Sequence, residues 1–229
     1  MYQNLDEAMV GLSVWKKHRR NKVAPLSRNI AYKPTFEADY YREIALHRLI
    51  ELIESAYSLY KADLLVGSIV VARAAQETLA IIWFVNEKLE RLVETKDISQ
   101  FASTMKRLIL GWSKDPEFPE KMNILTCIKS VDKKLDGKFL RHYEMLSEYA
   151  HPNYSGTMGA YGRPDHVSLE VEIGLSQRSK ETLKSHLQST LIICVHLMDT
   201  VQQDYEAHIN LALDVCHELH AAGKLVEGL

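Results

Sequence analysis

The chain is poor in features that would tie it to an oxidising compartment, to nucleic acid or to a membrane. Its 229 residues include only three cysteines, which lie far apart and form no C-x-x-C pair. We therefore expect reduced thiols in a cytoplasmic protein. The formal net charge is −2, so the chain as a whole has no electrostatic preference for nucleic acid. Residues 1–7 lack the basic and apolar runs of a secretory signal.

Signatures of cofactor binding and of common hydrolases are missing as well. The sequence has no G-x-S-x-G motif, no phosphate-binding glycine loop before a helix and no dinucleotide fingerprint. Side chains of metal-binding type gather near the C-terminus, at His208, Cys216, His217, Glu218 and His220. They lack the H-E-x-x-H or paired-cysteine spacing of a zinc site, so we predict no metal and no cofactor.

Helical periodicity, by contrast, runs through most of the chain. It predicts a mainly α fold, a bundle of about six or seven helices with one small β-hairpin at about residues 157–173. Thr35, Asp63 and Asp97 are expected to cap helices, because their side-chain oxygens can accept from the first free N–H groups. The first predicted helix begins at Leu5. The others span about residues 35–62, 64–95, 97–112, 120–135, 138–151 and 177–222.

The last predicted helix is unusually long and contains neither glycine nor proline between Gln177 and Ala222. Its apolar residues recur at nearly heptad spacing. A pattern of this length predicts either a partner helix from a second subunit or a bend near Glu206–Asn210. The first alternative favours a homodimer.

The hairpin prediction rests on a short alternating stretch. Val167, Leu169, Val171 and Ile173 alternate with polar residues, which is typical of a half-buried strand. Residues 157–161 are the expected antiparallel mate. Because an isolated hairpin is only marginally stable, we expect it to lie on the helices or to pair across a dimer.

We divide the chain into an N-terminal helix and arm (1–35), a single helical domain with a hairpin insertion (36–222) and a tail (223–229). The basic cluster Lys16–Lys22 in the first part has two interpretations. It could contact phosphates, or it could be a solvated helix end where cations suit the helix dipole. The second is the more common and is favoured here.

The helix predicted at 64–95 is the most apolar segment and is long enough to span a bilayer. Arg73 and Glu77 near its centre would be costly in lipid, so a central helix in a soluble bundle is expected. The two residues are one turn apart and can form an ion pair. This pair could fix the helix register or could belong to a functional site, and the sequence leaves both alternatives open.

The stretch Leu146-Ser-Glu-Tyr-Ala-His-Pro-Asn153 resembles the motif region of the HEPN superfamily, a group of mostly helical domains. The family motif is an arginine, usually followed by a polar residue, four to six positions before a histidine near a helix end. His151 matches the histidine and Ser147 the polar position, and Pro152 predicts that the helix ends at His151. Leu146 occupies an arginine position of the motif, which puts in doubt whether the motif can bind a phosphate here. The resemblance covers about residues 40–200.

Many HEPN members are metal-independent ribonucleases that act as dimers, so the resemblance implies a possible chemistry. His151 would act as general acid or base, and Arg73 or Arg163 would offset the phosphate charge. Ser147, Asn153 and Tyr154 would orient the substrate, with Glu77 as a further member of the site. The competing interpretation is structural, with His151 capping its own helix and bonding Glu77 or Glu144.

Two functions follow from this resemblance. The first is a HEPN-like homodimer that binds or regulates an RNA or protein partner with little or no catalysis, in prokaryotic defence or a toxin–antitoxin system. The second is an active ribonuclease with a relocated arginine. Because the arginine of the motif is missing, the first is favoured, and whether the protein is an enzyme is left open.

Overall fold

The structure, a computed structural model, describes residues 2–25, 32–112, 115 and 117–224, without the side chain of residue 177. It is 74% helical and comprises eight helices and one two-stranded antiparallel hairpin within these residues, which confirms the predicted fold class. Parts of the predicted arm (26–31) and tail (225–229) lie outside the described residues. The elements in chain order are α1 (Leu5–His18), α2 (Lys33–Lys61), α3 (Leu65–Thr95), α4 (Ile98–Leu110), α5 (Ile124–Asp132), α6 (Lys138–Ala150), α7 (Met158–Tyr161), β1 (Gly162–Pro164), β2 (Val171–Ile173) and α8 (Gln177–Ala221).

Side-chain caps start several helices, although not all of those that the sequence suggested. Asp97 caps α4 as predicted, since its side chain accepts from the backbone N–H of Gln100. Thr35 does not cap α2, because the helix already begins at Lys33 with a proline in its first turn. Asp63 does not cap α3 either. It adopts a left-handed backbone with φ 61°, and its carboxylate binds the ammonium groups of two lysines in α8.

Helix α3 is the centre of the bundle and packs against α2, α4, α5, α6 and α8. By length and composition alone it could cross a membrane. However, 56% of its most apolar 18-residue window is buried within the protein, as befits a core helix. The apolar residues at helical spacing therefore have partners on several sides of α3, which explains why this segment reads as almost uniformly apolar.

Helix α8 is continuous over 45 residues, so the bend near Glu206–Asn210, one of the two alternatives for this segment, does not occur. Its far end is covered by the same chain. Tyr205, Ala212 and Cys216 are buried in a second core cluster together with residues of α3 and α4, and Glu218 pairs with Lys96. The length of α8 is thus explained without a partner helix.

The hairpin differs from its prediction in the segment that pairs and in burial. β1 pairs with β2 so that Arg163 lies opposite Glu172, whereas most of the expected mate at 157–161 forms the single turn α7 (158–161). The strand also begins later than predicted, because the Asp165 carboxylate accepts from the N–H groups of Val167 and Ser168 and closes a turn there.

The apolar side chains of this segment face solvent. Val167, Leu169 and Ile173 are 94%, 86% and 84% exposed, so the prediction of a half-buried strand is wrong. Leu169 also has a left-handed backbone, with φ 61°, at the point where the chain turns back. The hairpin therefore does not lie on the helices of its own chain.

Candidate binding site between α3 and α6

A polar cluster joins the centre of α3 to α6. Nε of Arg73 donates to Oγ of Ser147 at 2.9 Å, and its Nη2 donates to the Tyr143 hydroxyl at 2.7 Å. The same hydroxyl donates to Oε1 of Glu77 at 2.8 Å. Four side chains from two helices are thus linked, three of them predicted from the sequence and Tyr143 overlooked because it reads as a core aromatic.

The charge of Arg73 is largely balanced inside this cluster. Its Nη2 lies 3.2 Å from Oε1 of Glu77, and its guanidinium carbon lies 5.0 Å from the centre of the Tyr143 ring. Both charged side chains are a little over a quarter exposed, at 28% and 29%. Burial, and then the hydrogen bond to Glu77, raise the pKa of Tyr143, so the phenol stays protonated and bridges the two charges.

His151 stands apart from this cluster. It is the C-terminal cap of α6, as Pro152 predicted, and its backbone N–H donates to the Ser147 carbonyl at 3.2 Å. The residue is exposed, and its ring makes no hydrogen bond or ion pair with the described residues. Neither Glu77 nor Glu144 bonds the imidazole, so the structural contact that was the competing interpretation of His151 is not formed either.

Asn153 and Tyr154 shape the loop that follows α6. The Asn153 amide donates to Glu148 at 2.7 Å and its carbonyl oxygen accepts from the N–H of Gly156 at 3.0 Å. Tyr154 is exposed. The six candidate residues therefore fall into two groups: Arg73, Glu77 and Ser147 lie together, whereas His151, Asn153 and Tyr154 lie on the exposed loop side.

Three of the other basic residues considered from the sequence are paired with acidic side chains. Arg163 pairs with Glu172 across the hairpin at 2.5 Å. In the Lys16–Lys22 cluster, Lys16 pairs with Glu54 and Arg20 with Asp39 and Glu43. Two of the five lysine and arginine side chains of this cluster are thus paired within the chain, and its interpretation as a solvated helix end stays a prediction.

A cleft of about 960 Å³ adjoins the polar cluster at Glu77. Its walls come from α2, α3 and the segment that leads into α5. Trp112 and Phe118 line it although both are exposed, and Arg48 and Lys121 are its cations. Its acidic residues are Glu77, Asp115 and Glu120.

No family model, curated protein or solved structure matches this chain. The HEPN resemblance of residues 146–153 stays a prediction.

The described residues also show the surroundings of the possible metal ligands and of the cysteines. They bring together no group of three or more histidine, cysteine, aspartate or glutamate side chains suited to a metal ion. His208 contacts Asn86, and His217 contacts the Tyr32 hydroxyl. All three cysteines are free and buried, and burial raises the pKa of the Cys127 and Cys194 thiols to about 12, which leaves them protonated.

Sequence reasoning missed a second charge cluster. Arg42 and Glu43 are buried in α2, beside Asp39, Arg20 and Tyr205. A signal for them existed, since the apolar stripe of α2, followed backwards by one turn from Leu46, passes through residues 42 and 43. Charged residues on that stripe are a sign of an internal ion pair.

Proposed function

We propose that this protein is a HEPN-like binding or regulatory protein that acts as a homodimer and does not cleave RNA. The proposal rests mainly on the environment of Arg73. Its guanidinium is engaged by Glu77, Tyr143 and Ser147, so a phosphate would have to displace a bound carboxylate to reach it. Such a cation contributes little to stabilising charge on a reacting phosphate.

The state of His151 supports the same conclusion. A general base needs a fixed position within hydrogen-bond reach of the proton that it removes. The imidazole of His151 is exposed and has no orienting partner among the described residues. The α3–α6 cluster is better suited to fixing the relative register of the two helices, which is the use we assign to it.

A protein partner fits the cleft better than RNA does. Exposed aromatic side chains such as Trp112 and Phe118 are typical anchors of protein interfaces. Three acidic residues and two basic ones line the same cleft, and this balance disfavours a polyanion. A role in defence or a toxin–antitoxin system would be consistent with such a regulatory partner.

The hairpin is the surface we assign to the homodimer. Two copies of β2 can pair antiparallel about a two-fold axis at Glu172, which places Val171 opposite Ile173 of the second copy. The two Glu172 side chains then face each other, but each is already paired with Arg163 of its own hairpin. The four-stranded sheet so formed would give both hairpins the additional strands that they lack.

The alternative is a metal-independent ribonuclease, and one observation favours it. Ser147 binds Arg73 and lies four residues, about one helical turn, before His151, so the chain links an arginine-bearing cluster to the motif histidine over a short stretch. Displacement of Glu77 by substrate would then free the guanidinium for the phosphate.

The decisive experiment is incubation of purified wild-type protein and its His151→Ala variant with a mixed cellular RNA in the presence of a chelator. We expect unchanged RNA in both samples. In a separate binding measurement, we expect no RNA binding of the kind whose affinity falls steeply as the salt concentration rises. Arg141→Ala, on the exposed side of α6, is the matched control for the effect of a substitution in this helix outside the candidate site. Cleavage by wild type and Arg141→Ala that His151→Ala and Arg73→Ala both abolish would overturn the binding function and establish the ribonuclease.

A further inference from the structure

Four lysines lie at the corner where the chain passes from α5 to α6. Lys129 and Lys133 are one helical turn apart at the end of α5, Lys134 follows, and Lys138 is the first residue of α6. All four residues are exposed, and none of them forms an ion pair with the part of the chain that the structure describes. These four residues form the lysine corner.

The backbone of the lysine corner is held by contacts between its two helices. Oδ1 of Asp132 accepts from the N–H groups of Phe139 and Leu140 at 3.0 and 3.1 Å. Asp136 and Gly137 both have left-handed backbones, with φ 50° and 78°, and form the turn before α6. The lysines are therefore presented on a fixed scaffold, and the carboxylate of Asp132 is bound to α6.

The acidic side chains around the lysine corner do not balance its charge. Asp132 is bound to the first turn of α6, and Glu87 of α3 accepts from Ser130 and pairs with the lysine that follows it at 3.6 Å. Asp136 is exposed in the turn. Residues 129–138 thus carry a net charge of +2, whereas the rest of the chain carries −4.

Helix dipoles explain only part of this local charge. Cations near the C-terminus of α5 are favourable, which accounts for Lys129 and Lys133. Lys138 is opposed by the same effect, because it lies at the N-terminus of α6, whose first turn contains no acidic residue. The ammonium of Lys134 lies 5.6 Å from the centre of the Trp83 ring, on the side of α3. A charge that goes against the local preference of its helix is expected at a functional surface.

We propose that the lysine corner binds a short acidic segment of a protein partner. Carboxylates complement four exposed ammonium groups that have no acidic partner of their own. The segment is short because a long polyanion would extend beyond the corner and meet the net negative charge of the remaining chain. RNA is disfavoured further, since none of the aromatic residues of α5 and α6 is exposed and able to stack on a base.

The test measures the fluorescence anisotropy of labelled hexaglutamate and labelled hexaglutamine at low salt. Wild type is expected to bind hexaglutamate at least about tenfold more tightly, and this affinity should fall as salt screens the exposed charges. Lys133→Glu/Lys138→Glu is expected to remove the preference. Lys17→Glu/Lys22→Glu is the matched control, because it changes the net charge equally at two exposed lysines of the N-terminal cluster, and it should bind like wild type.

Further measurements separate loss of binding from loss of folding. Lys138→Glu suits the N-terminus of α6, so both double variants are expected to keep the wild-type circular dichroism spectrum. Lys133→Gln/Lys138→Gln, which introduces no acid, is expected to weaken hexaglutamate binding in the same direction.

Three results would overturn the proposal. They are equal binding of hexaglutamate and hexaglutamine by wild type, equal weakening of hexaglutamate binding in the corner variants and the control, and tighter binding of labelled hexauridylate than of hexaglutamate. None of these results depends on whether the cleft at Glu77 binds a partner.

Discussion

Two arginines illustrate how far single residues can be understood from sequence. Arg73 was singled out because an arginine and a glutamate one turn apart interrupt an apolar helix, and the structure does place them together. Arg42 was missed because α2 is amphipathic and charged residues are ordinary on such a helix. What distinguishes the two positions is the neighbouring surface, which comes from α6 in one case and α8 in the other, and helical periodicity contains no information on it.

Two histidines make the stability of the contact between α6 and α8 depend on pH. Burial, and then the neighbouring His186, lower the pKa of His142, and burial lowers the pKa of His186. Their rings are 6.4 Å apart, and Nδ1 of His142 lies 3.2 Å from Oγ1 of Thr190. Below the ordinary histidine pKa of about 6.5, the unfolded chain therefore binds more protons than the folded protein.

We predict that the free energy of unfolding falls as the pH is lowered through this window, and that the loss is complete below the folded pKa values. Urea titrations at about pH 7.5 and about pH 5.5 measure the difference. His142→Gln should reduce it, whereas His166→Gln, in the exposed turn of the hairpin, should retain the wild-type difference. A His142→Gln protein with the full wild-type difference would contradict this account.

At the scale of elements, the helices could be predicted and the hairpin only in part. Helix periodicity repeats over many turns, so the bounds of α3 and α4 were close to those observed. The alternation of Val167, Leu169, Val171 and Ile173 is short, and the same alternation arises in a turn followed by a short strand. Pro164-Asp165 was the missed signal, because aspartate after proline favours a turn.

The hairpin also provides the test of the proposed dimer. Ile173→Asp places a charge where β2 of one copy would meet β2 of the other, so we expect the dimer to dissociate into monomers of unchanged helix content. Light scattering after size-exclusion chromatography measures the mass. Val10→Asp, at an exposed valine of α1, should remain dimeric. A wild-type protein that is monomeric at high concentration would remove the homodimer from the proposed function.

On the scale of the whole molecule, two core clusters share the same long helices. The first cluster contains Leu79 of α3 and Leu191 of α8, and the second contains Val85 of α3 and Ala212 of α8. Leu108 of α4 packs against both clusters. Neither cluster can lose its packing without exposing part of a helix that the other needs.

We therefore predict that both clusters unfold in one cooperative transition. Phe101→Trp in a background in which Trp15, Trp83 and Trp112 are replaced by phenylalanine puts the sole tryptophan in the second cluster, and its urea midpoint should coincide with the midpoint from far-ultraviolet circular dichroism of the same variant. Two resolved midpoints would show that the clusters are separate folding units. The variant's circular dichroism midpoint, compared with wild type, controls for any effect of the tryptophan itself.

The unbroken course of α8 also determines how a single copy of the chain rotates in solution. At 1.5 Å per residue its 45 residues extend about 68 Å, whereas a compact chain of 229 residues has a radius of gyration of only about 17 Å. A rod of that length exceeds the diameter of a sphere holding the same mass. A single copy of the chain therefore tumbles anisotropically, more slowly end over end than about the axis of its last helix.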